Sequence, residues 1–311
     1  MTYQRWARRT VAIVTVLGLA ACAHSTPAKH TADPTPSTTT DTPSDIPTDT
    51  TSASPSAVAS HSASPSTSKK PTPKPTTTHK KPVAAGAEIP AGTTTSSTDD
   101  GVPTSGAGTF TPATGGTDLV GTGATLVKYR IEVENGITWG ANPVWTPTSF
   151  ATAVDTIIAG PRGWTDTADH PITDTAEKMT GASWSFQRVS DTSYSVRVLL
   201  ATPNTVDKLC GSVGLQTLGQ VSCRYGTTEV INLRRWLKGV TGFGTDLTGY
   251  RTMVINHEMG HFLGFNHMLC PGSGQPAPVM QQQTIALNGC LPNPYPFTTD
   301  GTFVTGPWAS S

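Results

Sequence analysis

The sequence predicts an α+β domain carried at the end of a long polar segment. Three observations predict it. Apolar residues make up 35% of the 311 and charged residues 14%, both low for a globular protein, and the shortfall lies in the first third. Beyond residue 117, runs with the two-residue period of strands are interleaved with patterns of helical period. The longest helical pattern carries HEMGHFLGFNH, residues 257–267, which holds three of the chain's eight histidines.

The N-terminus reads as an export signal. Arg5, Arg8 and Arg9 precede a short apolar run over residues 10–21, too short to span a bilayer and suited to a signal peptide. It ends in Leu19-Ala20-Ala21-Cys22, which resembles the bacterial lipobox. That resemblance implies a signal peptide over residues 1–21, a lipidated Cys22 and a location outside the cytoplasm, on the cell membrane through the lipid alone. Residues 22–117 are built from Ser, Thr, Pro, Ala and Gly. Such a stretch cannot bury enough apolar area to offset chain entropy, so a disordered stalk is expected, with the folded domain over residues 118–311.

Within that domain VKYRIEVE, residues 127–134, alternates strictly between apolar and charged and predicts a half-buried strand. In SFATAVDTIIAGPRGW, Phe150, Val154, Ile157 and Ile158 share one helical face. Thr148 or Ser149 can cap that helix, Gly160 can end it, and Pro161 blocks its continuation. SWSFQRV (183–189) and YSVRVLLA (194–201) read as a strand pair, joined by the turn residues Ser190-Asp191-Thr192-Ser193. EVINLRRWLKG (229–239) begins as a strand and is ambiguous after Leu233. TGYRTMVINHEMGHFLG (248–264) predicts a long helix ending at Gly264, and the remainder is rich in loops.

Cysteine and charge arithmetic narrow the function. With Cys22 assigned to lipid, Cys210, Cys223, Cys270 and Cys290 remain, an even set for an exported domain. Three pairings are possible; Cys210–Cys223 and Cys270–Cys290 close the shortest loops. Residues 118–311 carry 12 basic and 14 acidic side chains, which gives no electrostatic reason to expect nucleic acid. No exposed apolar stripe argues for assembly, so a monomer is expected.

The histidine stretch carries the chemistry. His257 and His261, four apart, fall on one face of a helix and can converge on one ion. Glu258, displaced around the helix, points beside the ion rather than at it. Gly264 can take positive φ, end the helix and return His267 as a third ligand. Three imidazoles with one open position suit a catalytic zinc ion, which lowers the pKa of bound water for Glu258 to deprotonate.

This HExxHxxGxxH pattern resembles the metzincin clan of zinc metallopeptidases. The rest of residues 120–311 is loosely similar to an uncharacterised family of secreted actinobacterial domains, through Gly160-Pro161-Arg162-Gly163-Trp164 and NLRRW (232–236). The clan implies a mixed twisted sheet above an active-site helix, an edge strand that binds extended peptides, and a methionine in a tight turn beneath the ligands. Met280, thirteen residues after His267, matches that methionine in kind and spacing. A Cys270–Cys290 bridge would enclose its loop. The chain departs from the clan two residues later, where some members carry Tyr and this one has Gln282; Tyr295 lies further on. The expectation is a lipid-anchored zinc endopeptidase acting on protein or peptide, with His257, His261 and His267 as ligands and Glu258 as general base. The alternatives are a non-catalytic zinc-holding binding module and a hydrolase of cell-wall peptides or amides.

Overall fold

The computed structural model describes residues 100–309. The signal peptide, Cys22 and residues 22–99 of the expected stalk lie outside the described residues. Strand β1 (Phe110–Pro112) opens the sheet and pairs antiparallel with β2 (Thr125–Glu134), so Phe110 lies opposite Glu134. The fold therefore begins before residue 118, a correction to the stalk boundary. Val102 and Ala113 are buried in the core, and Arg234 binds Asp100 at 2.7 Å. Low apolar content hid this segment, because β1 contributes pairing rather than apolar bulk.

Helix α1 (Pro147–Ile158) follows, capped by Thr146, two residues ahead of the expected Thr148 or Ser149. Thr146 accepts from the Ser149 N–H while Ser149 Oγ accepts from the Thr146 N–H, and Pro147 fills a first-turn position that needs no donor. Strands β3 (Ile172–Asp174) and β4 (Met179–Ala182) form a separate antiparallel pair. Next come β5 (Trp184–Arg188), β6 (Val196–Ala201) and α2 (Pro203–Gly211). Strands β7 (Cys223–Tyr225) and β8 (Thr228–Asn232) lead into α3 (Leu233–Lys238). The ambiguous run thus changes from strand to helix at Asn232, whose side chain caps α3 by accepting from Arg234 N–H. Helix α4 (Leu247–Leu263) is the long histidine-bearing one.

The sheet is mixed, in the order β1-β2-β6-β8-β7, with β5 sharing the β2 edge that β1 uses. Strands β5 and β6 do not pair with each other, contrary to the expected strand pair. Both run parallel to β2 on opposite sides, with Arg188 and Val196 each opposite Tyr129. Their connection crosses β2 on its charged face: Arg130 lies over the Tyr194 ring at 4.4 Å, and Ser195 N–H bonds Lys128 O at 2.7 Å. The turn chemistry of Asp191 is real, for its carboxylate accepts from Ser193 N–H at 2.9 Å, but the turn serves a crossover.

Alternation sorts the two faces. Val127, Tyr129, Ile131 and Val133 join Val198, Leu200 and Ile231 in the main core with α1 and α4. Leu199, Val230 and Cys223 face the other way, toward Val206 and Cys210 of α2. That second face is less wet than alternation suggested. Glu132 and Glu134 are both buried, Glu132 paired with Arg130 and Arg197 at 2.7 Å and Glu134 accepting from Thr202 and Thr205. Buried carboxylates are tolerable only with such partners. Two disulfides are present among the described residues, Cys210–Cys223 tying α2 to β7 and Cys270–Cys290 closing the C-terminal loop region. Among the described residues no helix is long and apolar enough to cross a membrane.

Candidate metal centre

Helix α4 positions the site. Asp246 caps its start through the Gly249 N–H. Gly264 ends it in the left-handed conformation at φ 111°, and its N–H returns to the Gly260 and His261 carbonyls. The chain then doubles back, with Asn266 clamped by Glu177 at 2.9 Å and the Met268 N–H on Met280 O at 3.1 Å. The result brings three imidazoles together. His261 Nε2 lies 3.1 Å from both His257 Nε2 and His267 Nε2.

The outer nitrogens fix the tautomers. His257 Nδ1 sits 2.8 Å from Val279 O, and His261 Nδ1 sits 2.8 Å from Phe265 O. A carbonyl only accepts, so each Nδ1 carries the proton and each Nε2 offers a bare lone pair. Burial reinforces this: it holds His257 down at about 4 and, with the His257 charge, His267 down at about 3, and pushes His261 well below its ordinary value. Neutral imidazoles are the form that ligates metal. The bare lone pairs of His257 and His261, facing one another across 3.1 Å, repel unless a cation lies between them. Tetrahedral zinc at about 2.05 Å from each nitrogen places the nitrogens about 3.3 Å apart, so the donor set fits that ion.

Glu258 is 4% exposed, and its Oε2 has no hydrogen-bond partner among the described residues. Burial raises its carboxyl to about 8, opposed by the positive charge of Arg224. Beside it lies a cleft of about 20 Å³, room for one water molecule, lined by His257, Glu258 and Gln282 among others. Gln282 is the middle of three consecutive glutamines. Gln281 donates to the Ala286 and Leu287 carbonyls, and Gln283 to the Pro278 and Asn293 carbonyls, so both staple the loop. Gln282 Nε2 has no partner among the described residues.

Beneath the helix, Met280 is fully buried against Gly260, in the turn between His257 and His261. A Cβ at Gly260 would overlap Met280 Sδ and come within 2.8 Å of the Trp164 ring. Trp164 is anchored in turn, its Nε1–H donating to Asn256 O at 2.9 Å and its ring stacked on Phe265 at 5.0 Å. The Met280 loop thus both underlies α4 and supplies, through Val279 O, the acceptor that orients His257. The Cys270–Cys290 bridge encloses that loop.

Tyr295 lies elsewhere. It stacks under Arg162 at 3.7 Å and lines a cavity on the side of α4 away from the three histidines. The sequence reading also passed over two charged groups. Arg224 of β7 and Glu229 of β8 are directly opposite, on the face that α4 covers. Glu229 is fully buried with neither oxygen bonded among the described residues, and burial and the charge of Glu258 raise its carboxyl well above the ordinary value. An acid directly before the apolar pair Val230-Ile231 was the available signal. Gly260 was missed too, although a glycine in a helix interior costs about 1 kcal/mol and asks for a packing reason.

Compared with known proteins, residues 97–301 match the family model described as "Protein of unknown function (DUF3152)". No curated protein and no solved structure matches the chain.

Proposed function

The chain belongs to the DUF3152 family, and from its convergent histidines we propose that it is a zinc-dependent endopeptidase of metzincin type, acting outside the cytoplasm. One observation carries the reading: three imidazole Nε2 atoms, two of them with the tautomer fixed, meet beside a buried carboxylate whose Oε2 has no hydrogen-bond partner among the described residues. A purely structural zinc site has no use for that carboxylate.

His257, His261 and His267 would hold the ion through Nε2. Bound there, a divalent ion polarises a substrate carbonyl, acidifies water and favours the ionised form of Glu258. The remaining work falls to the chain. Glu258 Oε2 takes the proton from water in the small cleft and returns it to the departing amine. Gln282 Nε2 supplies a hydrogen bond to the carbonyl oxygen as negative charge develops on it. It stands two residues after Met280, where the clan's tyrosine would, and is the oxyanion donor of this reading. Met280 is the floor that keeps the ligand turn rigid. Strand β7, an edge of the sheet beside α4, offers its free side to an extended peptide. Lipid at Cys22 would hold this domain at the outer membrane surface, and two disulfides suit such an oxidising location.

The test compares the oxidised, zinc-loaded chain with its Glu258→Ala variant on a mixed peptide library, with new termini read by mass spectrometry. Cleavage by the unaltered chain alone is expected. Cleavage retained in the variant refutes the mechanism. No cleavage by either, with one ion bound per chain, refutes the general endopeptidase in favour of the binding module or the cell-wall hydrolase.

A further inference from the structure

A second site lies on the opposite side of α4. Nine residues separate Thr248 from His257, which at about 100° per residue is half a turn around the helix. Thr248, Arg251 and Thr252 face a cavity of about 710 Å³ between α1 and α4. That volume is within the range of small-molecule sites, about 300–1,000 Å³. Its walls are mainly apolar: Trp145, Trp236, Ala153, Ile157 and Tyr295.

The polar groups on those walls are selective. Arg251 is half-buried, with its guanidinium 4.8 Å from the Trp145 ring and 5.0 Å from the Trp236 ring. Its Nε–H donates to Trp236 O at 2.8 Å, which fixes the fork and leaves Nη1 and Nη2 without a partner among the described residues. No carboxylate pairs with it there. Burial lowers its pKa from the ordinary value, with no acid acting in the other direction. Arg162 lies 3.7 Å from the ring of Tyr295, one of the wall residues.

This chemistry chooses among ligand classes. The lining holds donors and hydroxyls but no carboxylate, so a cationic ligand finds no counter-charge. It also holds no side-chain amide, and its hydroxyls, with Thr152, Thr156 and Thr252 already bonded to backbone carbonyls, offer a sugar no bidentate acceptor. An apolar chain alone would leave the free edge of the Arg251 guanidinium unpaired, which is costly in a desolvated site. We infer that the cavity between α1 and α4 binds an amphiphile whose apolar chain ends in a carboxylate. The chain lies along Trp145, Ala153, Ile157 and Trp236, and the carboxylate meets the free edge of Arg251, bidentate in the manner of guanidinium pairs. The site is separate from the histidines and does not rest on the peptidase reading.

The test is calorimetric titration of the full, oxidised chain, without added metal, with dodecanoate below its micelle concentration. Dodecyltrimethylammonium, with the same chain and opposite charge, serves as the comparison. Saturable binding of one dodecanoate per chain is expected, at least tenfold tighter than the cationic analogue. Arg251→Met, which keeps the apolar stem and removes the fork, should weaken dodecanoate at least tenfold. Ala153→Phe, which fills the cavity from α1, should do the same, and it decides the matter if Arg251→Met melts early. Equal binding of the two amphiphiles, no saturable binding, or unchanged affinity in the folded Ala153→Phe variant each overturns the proposal.

Discussion

Gly260→Ala is the sharpest probe of how the ligand turn is built. By helix propensity alone it should stabilise α4 by about 1 kcal/mol. Packing argues the other way. The added Cβ overlaps Met280 Sδ and approaches the Trp164 ring to 2.8 Å. Met280 is fully buried, and Trp164 is held by its bond to Asn256 O and its stack on Phe265, so neither retreats freely. Overpacking of this kind costs about 1–3 kcal/mol, and two rigid neighbours place it in the upper half. The net loss is then about 1–2 kcal/mol, a fall of about 2–8 °C in melting temperature for a domain this size. A displaced Met280 also moves the adjoining Val279 carbonyl, which orients His257. Zinc affinity should therefore drop about tenfold. The assay is thermal melting with and without zinc, with competition against a chromophoric chelator for the affinity. Repeating it in a Met280→Ala background closes the cycle, where the glycine substitution should cost at least about 1 kcal/mol less. Equal costs in the two backgrounds would refute Met280 as the group that requires glycine.

Two further outcomes follow from the site. Gln282→Ala should lower kcat on a cleaved peptide by about 10²–10³, the usual loss for an oxyanion donor, with KM and zinc content nearly unchanged; a shift in KM alone would make Gln282 a binding group instead. Glu229→Gln should change stability with a definite sign. Burial raises the Glu229 carboxyl well above 4.5, so the folded chain keeps a proton that the unfolded chain releases. Below that unfolded value the two states bind alike; as pH rises beyond it, the folded state loses about 1.4 kcal/mol per pH unit until its own carboxyl ionises. Urea unfolding from pH 4 to pH 8 should therefore show the Gln variant gaining on the parent as pH rises, and parallel curves would refute a shifted Glu229.

How much was legible in the sequence followed the range of each interaction. The histidine cluster was local. Helical period places His257 and His261 on one face, and Gly264, free to adopt positive φ, returns His267, so eleven residues determined the donor cluster by themselves. The short disulfide loops and the strand at residues 127–134 were local in the same sense. Sheet order was not, because alternation says which face a side chain takes and nothing about which neighbour its strand acquires. Strands β5 and β6 looked like partners because they are adjacent in sequence, yet both pair with β2, since a polar connection could lie across its charged face. Helix α1 began two residues early because Pro147 at its start favoured Thr146 as cap, a signal present in the sequence and outranked by apolar periodicity. The tertiary structure alone decided the rest of the site. It brought Arg224 and Glu229 beneath α4 from strands outside the motif, turned the middle of three glutamines into the cleft, and sent Tyr295 to the far side of the helix. Those groups meet through packing between elements remote in sequence, and no spacing within a single element encodes such a meeting.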